Sequence, residues 1–457
     1  MKISNISTWF AALALLLGFG FSQAQAQHVA CPGVEFCITL DDNRGAEQWQ
    51  SSSDGTTFTD LVGETGDSLC VTPTGDVIYR AVISSEAGCA PVFSDTIEFQ
   101  LNTLVVSAGD DTRVCGGDSV TLGGAPTASG GIGGYTYTWA GPGLSNSFVS
   151  NPRAAPSETT DYVVTVVDSF GCSLSDTINV IVDPVPAAGD TTFSFVNGNQ
   201  YWIVQRCIDT IRIEVWGAEG GTPFGQTNGV GGFGGFAEGD YALDPLDPGD
   251  SLLVITGSST GFNGGGNAGT GSSFGAQGGG ASEVQVQGMR IIVGGGGGGG
   301  GAAGLNAPFG GPGGNGGLPN GGAGGDDIDP TVGIHAQGGN GGAAGVGGAG
   351  GSGAIECGGT GGAGIAGQTA AQGGAGGDGG DGVLGPNCPG SATGVSGGGG
   401  GGGYAGGGGG GGGAGAGKAS AGGGGGSSYV GGVLNGSGTN SATSNHTGNG
   451  QVRISWQ

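Results

Sequence analysis

Positive charge is scarce in this chain: 10 Lys and Arg stand against 36 Asp and Glu in 457 residues, a formal net charge of −26. Nucleic-acid and anionic-membrane surfaces need Lys and Arg to neutralise phosphates, so both are excluded as partners. Charged residues of either sign make up only 10% of the chain, so the acidity is dispersed and reads as solubility. Histidine is scarcer still: His28, His335 and His446 stand in no motif. A Ser-His-Asp hydrolase needs a nucleophile, a base and an orienting group, and that set is missing. The glycine runs lack the Gly-Lys-Ser/Thr ending and the strand–helix setting of a phosphate loop. No enzymatic activity is expected. Apolar runs are short as well. The run 10–21 falls below the roughly 20 residues of a membrane-spanning helix, and no later stretch reaches that length, so no transmembrane segment is expected in the mature chain.

The N-terminus instead has the form of a removable secretion signal. Lys2 supplies the positive start, run 10–21 the apolar centre, and Ala24-x-Ala26 the small-x-small cleavage pattern. Residues 1–26 are read as a signal peptide, and the mature protein is expected to be secreted or displayed at the cell surface. Export accounts for the nine cysteines, since disulfides persist in oxidising compartments. Their odd number leaves one free or paired between chains.

Two internal copies follow. The first holds Cys31, Trp49, Pro73, Tyr79, Cys89 and Ser94-Asp-Thr-Ile97; the second holds Cys115, Trp139, Pro156, Tyr162, Cys172 and Ser175-Asp-Thr-Ile178. The Pro-to-Tyr and Tyr-to-Cys spacings are identical in both. Stretches 77–83 and 162–167 are rich in β-branched residues. With a Cys…Trp…Cys order and turn residues between short strands, they predict immunoglobulin-like sandwiches over 27–103 and 104–185, with Trp49 and Trp139 in the cores. Matched position pairs Cys31 with Cys89 and Cys115 with Cys172. Cys37 and Cys70, on two predicted strands, form a further pair; Cys37 with Cys89 is the open alternative. On Cys115-Gly-Gly-Asp-Ser-Val-Thr-Leu122, Tyr135-Thr-Tyr-Thr-Trp139 and Asp161-Tyr-Val-Val-Thr-Val-Val167, the copies resemble the immunoglobulin-like modules of large bacterial adhesins and gliding-associated surface proteins. That resemblance implies spacer and display modules.

Glycine dominates what remains, 120 residues in all and nearly all after Trp216. Region 186–457 opens as ordinary β-structure. Phe193-Ser-Phe-Val196, Asn197-Gly198 and Gln200-Tyr-Trp-Ile-Val204 predict a hairpin, and Ile211, Ile213 and Val215 alternate onto one face. A second hairpin is predicted around Gln287-Gly288, and a closing strand at 451–456. The glycine block between has period three, as in Gly313-Gly-Asn-Gly-Gly-Leu318 and Gly338-Gly-Asn-Gly-Gly-Ala343. A polyproline-II helix has three residues per turn, so Gly-Gly-X leaves two bare edges on which helices pack backbone to backbone. A loose linker is the competing reading. Collagen is disfavoured, because two positions in three are glycine and X is not proline.

On Ile211-Arg-Ile-Glu-Val-Trp-Gly-Ala218, Gly278-Gly-Gly-Ala-Ser-Glu-Val284, Arg290-Ile-Ile-Val-Gly-Gly-Gly-Gly297, Gly422-Gly-Gly-Gly-Gly-Ser-Ser-Tyr-Val430 and Gly448-Asn-Gly-Gln-Val-Arg-Ile454, this region resembles the glycine-rich domain of the anaplastic lymphoma kinase and leukocyte tyrosine kinase receptors and of bacterial surface proteins. The resemblance implies a tumour-necrosis-factor-like β-sandwich carrying an inserted bundle of polyglycine helices. The chain is thus expected to be all-β throughout. No kinase region is present, so receptor signalling does not carry over.

Site expectations are few. Phe309, Ile328, Tyr404 and loop 435–449 break the glycine pattern and are candidate contacts for an extracellular glycan or protein ligand. Asp326, Asp327 and Asp329 fall in Gly321-Gly-Ala-Gly-Gly-Asp-Asp-Ile-Asp329, a calcium-nonapeptide match, with an acidic loop tip as the alternative. No other cofactor is implied. Cys357 and Cys388 bracket the middle glycine repeats as a clamp. Cys207 is then the odd cysteine, available for self-association. The expected function is adhesion through a rigid glycine-rich head on an immunoglobulin-like stalk; a structural matrix or sheath component is the alternative.

Overall fold

The computed structural model describes residues 3–6, 27–40, 48–83, 91–224, 229–244, 246–270, 275–303, 310–329, 333–343, 346–352, 360–361, 375–383, 393–410, 413–415, 419–439 and 446–457. Its secondary structure is all-β. It forms two compact units, Met1–Pro184 and Val185–Gln457.

The first unit holds two sandwiches. In the first, the strands Gln27–Ala30, Ile97–Leu101, Val77–Ile83, Gln48–Ser52 and Thr59–Asp60 lie side by side, facing a sheet of Ile3–Ile6, Phe36–Leu40 and Ser68–Val71. Inward alternation buries Trp49, Phe99, Ile38, Leu69 and Tyr79, and the Trp49 indole donates to the Gly66 carbonyl at 2.9 Å. Ile3–Ile6 lies on the edge of Phe36–Leu40, with Ile6 opposite Ile38. In the second sandwich, Thr112–Cys115, Ser173–Asp183, Thr160–Val167 and Thr136–Ala140 form the main sheet over a core of Trp139, Tyr162, Leu122, Val164 and Val166. Trp139 donates to the Val149 carbonyl at 3.1 Å.

The disulfides correct two expected pairings. Cys31 is joined to Cys172, with Cα atoms 5.2 Å apart, so neither Cys31–Cys89 nor Cys115–Cys172 exists. Matched positions mark equivalent places in two copies, whereas bonding follows contact, and these copies meet at their ends. Asn102 N–H donates to the Ala30 carbonyl at 2.8 Å, and the Asn102 amide donates to Asp168 Oδ2 at 2.6 Å. The start of the first copy therefore lies against the 168–172 turn of the second. Cys115 is opposite Asp183 in a parallel pair, at the far end of the Ser173–Asp183 strand from Cys172. At about 3.3 Å per residue that is roughly 30 Å, beyond any disulfide. Cys37 and Cys70 are bonded, facing one another across adjacent strands. Cys115 and Cys207 are each disulfide-bonded, so Cys207 is not the free thiol expected of it. Cys89, Cys357 and Cys388 lie outside the described residues.

Asp168 anchors this junction and is 5% exposed. Burial alone would raise its pKa. Hydrogen bonds from the Ile132 N–H, the Asn102 amide and the Cys172 and Phe170 N–H groups outweigh burial and leave the pKa lowered. A depressed carboxyl contributes stability that is complete above its unfolded value, about 3.9, and is lost as pH falls through the folded value. Amide-exchange protection of Ile132 and Cys172 is therefore expected to fall as pH drops below about 4. Asp168→Asn should remove that pH dependence. Protection that titrates identically in both proteins would contradict it.

The second unit is a two-sheet sandwich. Gly189–Ser194, Gln451–Trp456, Thr210–Trp216, Phe236–Ala242 and Leu434–Thr439 form one sheet; Gln200–Ile203, Ser251–Ile255, Ser282–Val286 and Met289–Gly294 form the other. Ile211, Ile213 and Val215 are fully buried between them with Leu252, Val254, Val284, Ile292 and Ile454. The hairpin expected at Asn197-Gly198 is not formed. Gly189–Ser194 pairs with Gln451–Trp456 and Gln200–Ile203 with Ser251–Ile255, so the turn carries the chain from one sheet to the other. Phe193 and Trp202 thereby enter one core from opposite sides. At Gln287-Gly288, by contrast, a two-residue hairpin is present, with φ of 50° and 79° as a type I′ turn requires.

Candidate functional site

The glycine block is bonded laterally with a three-residue period. Gly296 and Gly299 donate to Gly402 and Gly399; Gly297 and Gly300 donate to Ala218 and Gly221; Gly298 and Gly301 donate to Gly314 and Gly311. The carbonyls of the same stretch repeat the rule with three other neighbours. Gly235 and Gly232 donate to Gly295 and Gly298, Gly279 and Ala276 to Gly297 and Gly300, and Gly426 and Gly423 to Gly296 and Gly299. Six segments thus surround stretch 294–302. A methyl built on Gly297 runs into the Gly232 carbonyl, and one on Gly296 into the Gly279 carbonyl. Glycine is required here for close approach of backbone to backbone, and the backbone polar groups are satisfied laterally.

The few polar side chains of the block serve it. Asp378 and Asp381 accept from the N–H groups of Asn267 and Thr270 at 2.8 and 2.7 Å, and Ser428 Oγ accepts from Gly295 at 2.9 Å. Asp326, expected as a calcium ligand, accepts from Gly338 N–H at 2.8 Å. Asp327 and Asp329 lie on the strand Asp327–Asp329, as does Ile328, and their side chains are outside the described residues. Among the described residues no cluster of three His, Cys, Asp or Glu suits a metal ion.

Of the candidate ligand contacts, Phe309 is outside the described residues. Tyr404 stacks on Tyr429 with centroids 4.2 Å apart and planes 10° from parallel. Its N–H donates to the Ser427 carbonyl at 2.8 Å, and Tyr429 in turn bridges to Val293. This pair therefore pins the block to the sandwich. Loop 435–449 is divided: Asn449 accepts from the Ser259 N–H at 3.0 Å, whereas the Asn435 amide donates to Asp240 Oδ2 at 3.0 Å.

That last bond lies on the outer face of the five-stranded sheet. The alternation that buries Ile211, Ile213 and Val215 turns Arg212, Glu214 and Trp216 to the outer face of the five-stranded sheet. Register sets Trp216 opposite Phe236, Glu214 opposite Glu238 and Arg212 opposite Asp240 on one side, and Glu214 opposite Arg453 on the other. The Trp216 and Phe236 rings are 5.1 Å apart and tilted by 41°, and the His446 ring is 6.1 Å from Trp216. Beside this aromatic row runs a charged lattice. Arg212 bonds Glu238 at 2.7 Å and Asp240 at 3.2 Å; Arg453 bonds Asp190 at 3.3 Å and Glu214 at 3.4 Å. Ser437 donates to Glu238 Oε1 at 2.8 Å. The Arg212 and Arg453 side chains are 44% and 46% exposed, so both keep donors turned to water. Period-two alternation was the signal: the outward residues follow from the same count as the inward ones.

A family model for a domain of unknown function (DUF8696) matches residues 22–103. No curated protein sequence matches the chain. Among solved structures, extracellular domains 3–5 of Drosophila OTK are 12% identical, covering 41% of this chain and 76% of that one, with a TM-score of 0.19. The fibronectin(III)-like modules of Clostridium thermocellum CbhA are 12% identical, covering 35% and 90%, with a TM-score of 0.17. The human desmocollin-1 ectodomain is 13% identical, covering 50% and 53%, with a TM-score of 0.17. Similarity this low assigns no activity to any residue here.

Proposed function

We propose that this is a secreted or surface-displayed binding protein without catalytic chemistry. Its first unit acts as a spacer of two immunoglobulin-like modules. Its second is a binding unit in which polyproline-II-type glycine helices brace a tumour-necrosis-factor-like sandwich. The observation that carries the reading is the bracing itself. A stretch such as 295–301, whose backbone is hydrogen-bonded to six neighbours and whose glycines leave no room for a methyl group, is a scaffold that holds a neighbouring surface rigid. The matrix alternative loses its main support, because all six cysteines among the described residues are bonded and Cys207 is not free to link chains.

The test is to present the full secreted chain to cells and to immobilised glycans and proteins, and in parallel to run it on non-reducing gels. A monomer that coats a defined surface saturably is the expected result. Disulfide-linked multimers that coat nothing would replace this function with the matrix role.

A further inference from the structure

The outer face of the five-stranded sheet combines two chemistries that seldom share a partner. One row is aromatic, Trp216 beside Phe236; the next is a hydrogen-bonding lattice of Glu214, Glu238, Arg212 and Arg453. Alternate residues on a strand are about 7 Å apart, so the rows are separated by roughly the width of a six-membered sugar ring with its equatorial hydroxyls. We propose that this face binds a neutral saccharide chain. The apolar C–H faces of its rings lie against Trp216 and Phe236, and its hydroxyls bridge the neighbouring carboxylates and guanidinium groups.

Charge selects among the possible occupants. Four carboxylates, from Asp190, Glu214, Glu238 and Asp240, meet two guanidinium groups, so the face repels sulfated or uronic glycans, nucleic acid and lipid phosphate. A basic peptide fits the sign of the field but would have to displace arginines already held at 2.7–3.4 Å. A hydroxyl displaces nothing, because each carboxylate oxygen and each exposed guanidinium N–H has capacity beyond its present bond. An uncharged partner carrying many hydroxyls and apolar ring faces satisfies both rows.

This inference rests on the reading of the chain as an extracellular binding protein, and its test separates the two. The full secreted chain is applied to an array of neutral oligosaccharides and their sulfated and uronic counterparts, and dissociation constants are measured for whatever is retained. Neutral members alone are expected to bind. Trp216→Ala should weaken binding roughly tenfold or more, the scale of losing one stacked ring, while Trp216→Phe recovers most of it. Glu238→Gln, a change of the same size at a half-buried position, should weaken binding severalfold. A glycan held equally well by Trp216→Ala and Glu238→Gln would place the site elsewhere and overturn this inference while leaving the binding-protein reading untouched. Preference for sulfated members, or no retention of any neutral member, would also overturn it. Saturable coating of cells by the same protein preparation then decides whether the broader reading survives.

Discussion

Pulled from its two ends, the oxidised protein is expected to give up none of the chain between Cys31 and Cys172. The bond has a sequence separation of 141, so 140 residues lie inside a covalent loop. Tension entering at the N-terminus passes through the sulfurs to residue 172 and onward without crossing either sandwich core. Both Trp49 and Trp139, with most of the apolar residues around them, are inside the loop. Of the strands described above, Ile3–Ile6, Gln27–Ala30 and Ser173–Asp183 remain outside it. Cys115, also inside, carries a further disulfide, which adds a strap and removes none. In single-molecule extension, reduction should release about 460–500 Å of additional contour length, at about 3.3–3.6 Å per residue. Cys172→Ser should release part of that length without reductant, because the stretch closed by Cys37–Cys70 and the strap at Cys115 remain bonded. Recovery of that length from the oxidised protein would refute the assignment. On the chain-entropy account, closing a loop of this size also stabilises the unit by about 4–5 kcal/mol.

The second large effect concerns single methyl groups. Gly297→Ala places a carbon inside the Gly232 carbonyl, in the middle of a stretch with six neighbours. No side-chain rotation relieves the clash, because both partners are backbone. The segments must separate, and lateral hydrogen bonds on at least two edges go with them. A loss of about 3 kcal/mol or more is expected, at the upper end of overpacking effects. Gly198→Ala is the control. Nothing lies within 4 Å of its added carbon, and its φ is not in the left-handed region, so the change should be neutral or stabilise by about 0.4–1 kcal/mol. Denaturant unfolding of the two variants against the parent measures both. A loose glycine linker would tolerate either substitution, so equal stability would eliminate the packed block.

The contrast between these glycines also marks how far the sequence was legible. Period is visible in a string of letters: the two-residue alternation at 211–216 and the three-residue repeat of the block both correspond to what each segment does. Partners are not visible. The hairpin expected at Asn197-Gly198 is a crossing between sheets, because a turn signal specifies a reversal and not which strand lies beside it. Cys31 and Cys172 stand at non-equivalent places of two copies, where a repeat carries no information. Tyr404 stands out in a field of glycine, yet its ring is taken up by Tyr429, 25 residues away and equally inconspicuous. Trp216 follows from the same alternation that marks Ile213, whereas Phe236 stands beside it only through the pairing of another strand.

For the gene, the packed block is an unusual kind of constraint. Every glycine codon begins with two guanines, and any change in either base either adds a side chain or stops translation. Along stretch 295–301, where added carbons meet carbonyl groups, only third bases are free to drift. Length is constrained too. Insertion or loss of three residues moves a segment by one full repeat and returns each edge to its neighbour, whereas one or two residues turn every following edge toward the wrong one. Nine nucleotides, rather than three, is the step by which such a domain can lengthen or shorten.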